Sequence, residues 1–376
     1  MALTLDESQR MLLDSARSFI GERAPVSHLR RLRDSRDPDG FDRALWREFA
    51  DMGFAGVLVP EAQGGLGLGL VEAGIIQETI GRTLMPSPFF ASAVLGARAL
   101  TLADSPSSMA DHLAGIAAGT RLFALAVDET TRHRGSGFVC TARADGSGYT
   151  LDGEKTFVVD GHVADWLIVA ATTGGAAPAT VLLLVDARQA GVRIERTLMT
   201  DAHNSARVQL QSVSVGAAGV LAGPASGARV LESVLDAGRA VLSAELIGAG
   251  DEAFARTLSY IKERKQFGRT IGEFQALQHR AAVLLTDLEL ARAAVMKALQ
   301  AADGDAAESA RWVSVAKAKA CQAAGLAAQE GVQMHGGMGM TDDFDLGLFM
   351  KRVRVLQELF GDASFHGDRL ARLNGY

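Results

Sequence analysis

The chain has little that would point to a disulfide framework, a metal site or a membrane segment. Its 376 residues include only two cysteines, Cys140 and Cys321. Two are too few for a disulfide framework, and neither has a partner at metal-ligand spacing. No apolar run approaches the roughly 18–20 residues that cross a bilayer. We therefore expect reduced thiols, no metal and no membrane partner.

An excess of positive charge is also missing. The chain has 38 lysines and arginines against 44 acidic residues, a formal net charge of −6, so we expect no nucleic-acid partner. Charged residues throughout the first predicted helix argue against a signal peptide and predict a cytoplasmic protein. Apolar residues at 48% and charged residues at 22% are typical of a globular chain. Its length allows two or three domains.

Hydrophobic spacing divides the chain into three predicted regions. Residues 1–118 are predicted to form a helical N-terminal domain. Residues 119–224 hold short β-branched runs between Gly, Asp and Thr clusters, which favour an antiparallel β domain. Residues 225–376 return to helical spacing and predict a four-helix bundle. The four predicted bundle helices are roughly Arg229–Lys265, Gly272–Ala302, Ala306–Met334 and Asp345–Leu373.

The most informative segment runs from Glu263 to Gln275, at the break between two predicted helices. A planar guanidinium such as that of Arg264 suits a pyrophosphate better than a lysine would. By itself the segment is equally consistent with a solvated helix end and a turn. A second block, Gln333–Met340, contains Gly336 and Gly337, where missing side chains let backbone approach a ligand closely.

In this order and spacing, the two blocks resemble the acyl-CoA dehydrogenase family of flavoenzymes. Further matches run along nearly the whole chain: Leu3–Gln9, Gly53–Glu61, Gly64–Gly67, and Leu151–Lys155 through Ala164–Trp166, which resembles the family's central β-hairpin. The resemblance implies an α+β fold with an N-terminal helical domain, a central antiparallel β domain and a C-terminal four-helix bundle.

The resemblance also implies a reaction, the α,β-desaturation of an acyl-CoA thioester with FAD. In the family, one part of each FAD site comes from the neighbouring subunit of a tetramer. The residues that match this part are Arg264, Gln266, Phe267, Gln275, Gln333, Gly336 and Gly337. The usual electron acceptor of the family is electron-transferring flavoprotein.

The part of the FAD site that each subunit provides for itself matches less well. Residues 128–136 replace the family's Thr-Glu-Pro-x-x-Gly-Ser-Asp segment. Phe157 could stack on the flavin, but Val159 stands where the family has a threonine hydroxyl. Trp166 matches a tryptophan of the next strand, for which a core role is expected.

Neither family position for the catalytic carboxylate holds an acid. One position corresponds to Phe360 and the other to Gly238. Asp362, two residues beyond Phe360, is a low-ranking candidate for a displaced base, and a helix cap is the more ordinary interpretation of it. His335 and His366 are expected to be packing or phosphate-proximal residues and not acid–base catalysts.

Three hypotheses follow. In the first, the chain is the subunit of a heterotetrameric, steroid-type acyl-CoA dehydrogenase that lacks the glutamate and completes the FAD site of a homologous partner. In the second, it is a self-sufficient homo-oligomer that uses Asp362. In the third, it is a scaffold without a cofactor. The acyl group, fatty or steroid, stays open.

Overall fold

The computed structural model describes residues 3–175, 177–304 and 306–376. Helices α1 to α6 span Glu7–Arg23, Val26–Ser35, Arg43–Asp51, Leu70–Thr83, Ala97–Thr101 and Ala110–Ala117. Strands β1 to β8 span Phe123–Ala126, Thr141–Asp145, Gly148–Val159, Trp166–Thr173, Thr180–Asp186, Val192–Leu198, Asn204–Val215 and Val220–Ala222. Then come α7 (Gly227–Glu263), β9 (Lys265–Gln266), β10 (Arg269–Thr270), α8 (Gln275–Ala302), α9 (Ala306–His335), α10 (Leu346–Glu358) and α11 (Ala363–Leu373). No helix in these described ranges combines the length and apolarity that a membrane span needs.

The chain divides into two compact units. The first contains residues 1–31, 74–85 and 239–376, and the second contains residues 32–73 and 86–238. This grouping does not follow the three predicted sequence domains, so their boundaries stay a prediction. The predicted succession of helices, strands and helices is confirmed.

In the first unit, small residues allow the long helices to pack closely. A Cβ atom added to Gly250 of α7 would lie 3.1 Å from the Cα atom of Ala324 in α9. The Ala-rich stretch of α9 is buried at Ala316, Ala320, Ala324 and Ala327. Helix α8 turns Leu284, Leu288 and Val295 inward at the spacing of one helical face. The Ala-rich sequence of α9 therefore reflects close helix packing.

The last predicted helix, Asp345–Leu373, is wrong as a single element. The structure has two helices, α10 and α11, separated by Leu359–Asp362. Phe360 and Gly361 both have positive φ angles, 55° and 104°, which a continuous right-handed helix cannot contain. Asp362 then caps α11 by accepting a hydrogen bond from the backbone N–H of Phe365 at 2.7 Å.

The second unit holds an eight-stranded sheet in the order β6-β7-β3-β2-β4-β5-β8, with β1 pairing to β4. Most pairs are antiparallel, but β1 and β2 each run parallel to β4. Strands β4 and β5 are buried along most of their length, which explains their nearly continuous apolar sequences.

The predicted hairpin from Leu151 to Trp166 is wrong. Strand β3 pairs with β2 and β7, whereas β4 pairs with β1, β2 and β5. A turn after β3 includes Asp160, whose φ angle is 54°, and carries the chain to another part of the sheet. Turn residues between two strands are found both in a hairpin and in a connection to a strand that is not adjacent. The sequence alone therefore did not show which of the two joins β3 to β4.

Candidate functional site

A small hairpin connects α7 to α8. The backbone N–H of Arg264 completes the last turn of α7 by donating to the carbonyl oxygen of Tyr260 at 2.8 Å. Strands β9 and β10 then pair Gln266 with Arg269. The two residues between them, Phe267 and Gly268, have φ angles of 55° and 81°, the left-handed conformation that a tight two-residue hairpin requires.

The hairpin presents an aromatic side chain to its surroundings. Phe267 is 90% exposed, and its ring meets that of Phe274 edge-on with 6.2 Å between the ring centroids. The hairpin is braced from behind by Phe274, whose ring lies 4.3 Å from the guanidinium of Arg269. The hairpin is thus held in place while Arg264 and Phe267 stay exposed.

The end of α9 lies beside the end of α7. His335 stacks on Tyr260 with 4.2 Å between ring centroids, and its Nδ1 atom is 2.7 Å from the carbonyl oxygen of Gly331. Burial lowers the pKa of His335, so the ring is neutral and packs in the core, the first of the two roles expected for it. Arg280 of α8 also forms an ion pair with Glu330 of α9.

These contacts bring the predicted FAD residues of the bundle to one end of it. Gln275 is the first residue of α8, Gln333 lies in the last turn of α9, and both are exposed. A Cβ atom added to Gly336 or Gly337 would meet no atom within 4 Å. The bare backbone at these glycines is therefore exposed at the same end of the bundle as the side-chain amides of Gln275 and Gln333 and the guanidinium of Arg264. Gln266 differs, because its side-chain amide donates to the neighbouring carbonyl oxygen of Lys265 at 2.8 Å.

Phe157 lies in a bulge of β3, in the second unit. The β3–β7 register shifts between Lys155 and Val158, and Phe157 has a φ angle of 52°. The bulge turns the ring outward, where it is 36% exposed. A flat aromatic face is therefore available for stacking, while Val159 supplies no polar group beside it.

The segment that departs from the family pattern is held by hydrogen bonds within it and by one to β3. The side chain of Asp128 lies 2.8 Å from His133 Nδ1 and accepts from the backbone N–H of Arg134 at 3.2 Å. The carboxylate of Glu129 accepts from Lys155 Nζ at 2.8 Å. Asp128 is thus engaged within residues 128–136, whereas Glu129 is engaged by Lys155 of β3.

Both positions expected for the base lack a titratable side chain. Phe360 is buried, and its carbonyl oxygen accepts from Arg239 Nε at 3.2 Å. Gly238 is a buried residue within α7. Asp362, the displaced candidate, caps α11.

Sequence reasoning missed a cluster of buried basic groups behind Phe360. Lys317 of α9 is completely buried, and its ammonium donates to the carbonyl oxygens of Leu356 at 2.9 Å and Gly361 at 3.0 Å. His366 Nε2 lies 3.2 Å from the carbonyl oxygen of Phe360. These contacts satisfy the carbonyl group of Leu356, which lies in the last turn of α10, and those of Phe360 and Gly361 in the segment that follows.

Burial sets the protonation of this cluster. It lowers the pKa of Lys317, and Cys321 and, less strongly, the Asp362 carboxylate partly oppose that shift. It also lowers the pKa of His366, with help from the charges of Arg239 and Lys317, so the imidazole is neutral. The sequence could not predict this cluster, because nothing around Lys317 indicates that its ammonium binds carbonyl oxygens about 40 residues further along the chain.

Comparison with known proteins places these features in a family. Three family models match the chain: the acyl-CoA dehydrogenase N-terminal domain over residues 6–120, the middle domain over residues 128–213 and the C-terminal domain over residues 225–373. The chain is 31% identical to the acyl-CoA dehydrogenase IpdE2 of Mycobacterium tuberculosis, over 95% of this chain and 94% of the relative.

Two solved assemblies have the same fold along their full length. The ChsE4–ChsE5 complex of Mycobacterium tuberculosis gives a TM-score of 0.90 at 27% identity, covering 100% of both chains. A variant of the Tcur3481–Tcur3483 steroid acyl-CoA dehydrogenase gives 0.87 at 31% identity, covering 99% of this chain and 98% of the other. The chain belongs to the acyl-CoA dehydrogenase family, whose enzymes are FAD-dependent oxidoreductases that act on CH–CH bonds.

Proposed function

We propose that this chain is one subunit of a heteromeric, FAD-dependent acyl-CoA dehydrogenase and that it has no catalytic carboxylate of its own. The observation that carries the proposal is the residue at each base position, Phe360 and Gly238. A buried phenyl ring and a glycine cannot accept a proton. Removal of the α-proton therefore falls to a homologous subunit that has a glutamate at one of these positions.

The chain's contribution is to hold a nucleotide. FAD, when bound, supplies the hydride acceptor of the reaction. Arg264 offers a forked set of donors for its pyrophosphate. The bare backbone at Gly336 and Gly337 leaves room for close approach. The exposed amides of Gln275 and Gln333 can donate to phosphate or ribose oxygens. The residues at this end of the bundle therefore suit the pyrophosphate and ribose of FAD.

The fit is poorer where the chain would have to hold a flavin by itself. Phe157 offers stacking only, and the loop that contains Asp128 is closed by its own hydrogen bonds. This contrast supports an arrangement in which FAD lies mainly in the partner and reaches across to Arg264. The names of the solved ChsE4–ChsE5 complex and of the Tcur3481–Tcur3483 enzyme agree with a two-chain assembly.

The substrate we propose is an acyl-CoA thioester with a bulky, steroid-type acyl group, in keeping with the steroid enzyme among the similar structures. Electron-transferring flavoprotein is the proposed acceptor. Asp362 is not the base in this proposal, because its carboxylate is engaged as the cap of α11.

Co-expression with a homologous chain that carries the glutamate tests the proposal. Alone, the chain should be colourless or poorly folded, and the pair should be yellow and should desaturate acyl-CoA. Asp362→Asn in the pair should leave turnover within about twofold. A yellow, active homo-oligomer of the lone chain that Asp362→Asn inactivates would contradict the proposal and support the self-sufficient enzyme.

A further inference from the structure

Helix α9 brings an amine and a thiol together on one buried face. Lys317 and Cys321 are four residues apart, so their side chains are neighbours on the helix surface. Lys317 Nζ lies 3.6 Å from Cys321 Sγ. A covalent bond between these two atoms therefore needs only a small movement of the two side chains.

The charge of Lys317 is held less firmly than that of another buried lysine. Lys155 is completely buried and forms an ion pair with the carboxylate of Glu129 at 2.8 Å. Lys317 is also completely buried, but its hydrogen-bond acceptors are uncharged carbonyl groups and the sulfur of Cys321. Burial lowers the pKa of Lys317, so the uncharged amine, which is the nucleophilic form, can form here.

Cys321 also lines a cavity of about 440 Å³ between α9, α10 and the start of α11. Gly325 lines the same cavity, and a Cβ atom added to it would lie 2.6 Å from the side-chain nitrogen of Gln357. Since one water molecule takes about 30 Å³, the cavity has room for hydrogen peroxide. A small oxidant can thus reach the sulfur, although only 2% of Cys321 is exposed.

We propose that Lys317 and Cys321 form an oxidation site at which hydrogen peroxide joins the two side chains through a covalent S–N bond. The observations that carry the proposal are the 3.6 Å distance between Nζ and Sγ and the cavity that Cys321 lines. The site goes beyond the proposed function and does not depend on it.

The first step oxidises the sulfur. The amine of Lys317 takes the thiol proton of Cys321, and the thiolate attacks one oxygen of hydrogen peroxide. An S–O bond forms and the O–O bond breaks, which gives a sulfenic acid. The released hydroxide takes the proton back from the ammonium and leaves as water. Sulfur has then lost the two electrons that the peroxide has gained.

The second step forms the link and involves no further oxidant. The uncharged amine of Lys317 attacks the sulfur of the sulfenic acid. An S–N bond forms, the S–O bond breaks, and the hydroxyl group leaves with one amine proton as a second water. Sulfenic acids are known to condense with nitrogen in this way.

The link also changes the break between α10 and α11. An ammonium has three N–H donors, whereas the linked nitrogen has one. The carbonyl oxygens of Leu356, Gln357 and Gly361 lie 2.9, 3.3 and 3.0 Å from Nζ. Most of these carbonyl groups therefore lose their donor on oxidation, which weakens the packing of the segment that contains Phe360.

The test treats the full-length protein, purified in its native assembly, with hydrogen peroxide and analyses its tryptic peptides by mass spectrometry. The peptides that contain Lys317 and Cys321 should stay joined, with a mass about 2 Da below the sum of the separate peptides. Dithiothreitol should separate them. Hydrogen exchange in the first turn of α11 should become about tenfold faster on oxidation, because donors to this segment are lost.

Cys140→Ser is the matched control for Cys321→Ser, because both cysteines are buried. The joined peptides should form in Cys140→Ser as in the wild type and be absent from Cys321→Ser. Oxidation of Cys321 to a sulfinic acid without a link to Lys317 would overturn the proposal. An unmodified Cys321 at a peroxide dose that converts Met11, which is 68% exposed, to its sulfoxide would also overturn it.

Discussion

At the scale of single residues, the buried cluster behind Phe360 makes the clearest contribution to stability. His366 is completely buried and neutral, and its pKa is lowered from the ordinary value of 6.5. Below that pH the unfolded chain binds a proton that the folded chain does not. The free energy of unfolding should therefore fall as the pH drops below 6.5, by up to about 1.4 kcal/mol per pH unit for this residue.

Replacing His366 with glutamine should remove that part of the pH dependence. The amide keeps a donor near the carbonyl oxygen of Phe360 but does not titrate. Urea unfolding of His366→Gln and of the wild type at pH 7.5 and 5.5 gives the comparison. His279→Gln, at an exposed position on α8, serves as the control. An unchanged pH dependence in His366→Gln would show that the imidazole is not kept neutral.

Lys317 should matter through hydrogen bonds rather than through charge. Lys317→Met keeps the volume of the side chain but leaves the carbonyl oxygens of Leu356 and Gly361 without their donor. We expect a loss of about 1–3 kcal/mol in the free energy of unfolding. Lys319→Met, an exposed change two residues along the same helix, should cost under about 0.5 kcal/mol. Equal losses in the two variants would contradict the assigned contacts.

At the scale of elements, the break between α10 and α11 depends on its cap. Asp362→Ala removes the acceptor of the Phe365 N–H bond and should cost about 1 kcal/mol. Asp362→Asn should lower the free energy of unfolding by only about a few tenths of a kcal/mol, because asparagine is also a good helix cap. Hydrogen exchange of the first turn of α11, measured in both variants, locates the effect. Faster exchange in Asp362→Asn than in Asp362→Ala would argue against the cap.

The same break shows how far the sequence determines the elements. Helical periodicity correctly predicted α7, α8 and α9 to within a few residues, because each long helix has a continuous buried face. It missed the interruption at Phe360, because nothing in the sequence indicates that this phenylalanine adopts a positive φ angle. Long-range contacts stabilise that conformation, as Arg239 and His366 do through the carbonyl oxygen.

The start of α8 and the sheet were harder for related reasons. Gly272 was predicted to open the helix, but Thr270 and Glu273 form a capping box around a short 3₁₀ turn, and α8 begins at Gln275. In the sheet, the sequence identified strands but not partners. The parallel pairing of β1 with β4 brings together segments about 40 residues apart, which alternation within a strand cannot encode.

The candidate site was predicted unevenly. The residues at the bundle end could be located because Arg264 and the Gly336–Gly337 pair interrupt helical patterns, and such interruptions stand out. The structure groups them at one end of the bundle and leaves them exposed. Their roles toward FAD stay a prediction. The sequence shows directly that positions 360 and 238 hold no acid, because this question depends only on the residue types, Phe360 and Gly238.

At the scale of the whole molecule, we propose that the chain forms one part of an FAD site. In that proposal, another subunit closes the site over the exposed guanidinium, the open glycine backbone and the projecting aromatic hairpin. Asp362 near Phe360 is engaged as the cap of α11, and in the proposed function the partner abstracts the proton. The central claim is therefore that Arg264 holds the cofactor of a neighbouring chain.

The most direct measurement of that claim is the FAD affinity of the purified heteromer with Arg264→Gln in this chain. Losing a charge-assisted, forked contact should weaken FAD binding by about 10- to 100-fold, equivalent to roughly 1.5–3 kcal/mol. Lys265→Gln, the adjacent exposed residue with the same change in charge, should have less than about a threefold effect. FAD affinity that is unchanged in Arg264→Gln, or reduced equally in Lys265→Gln, would contradict the account.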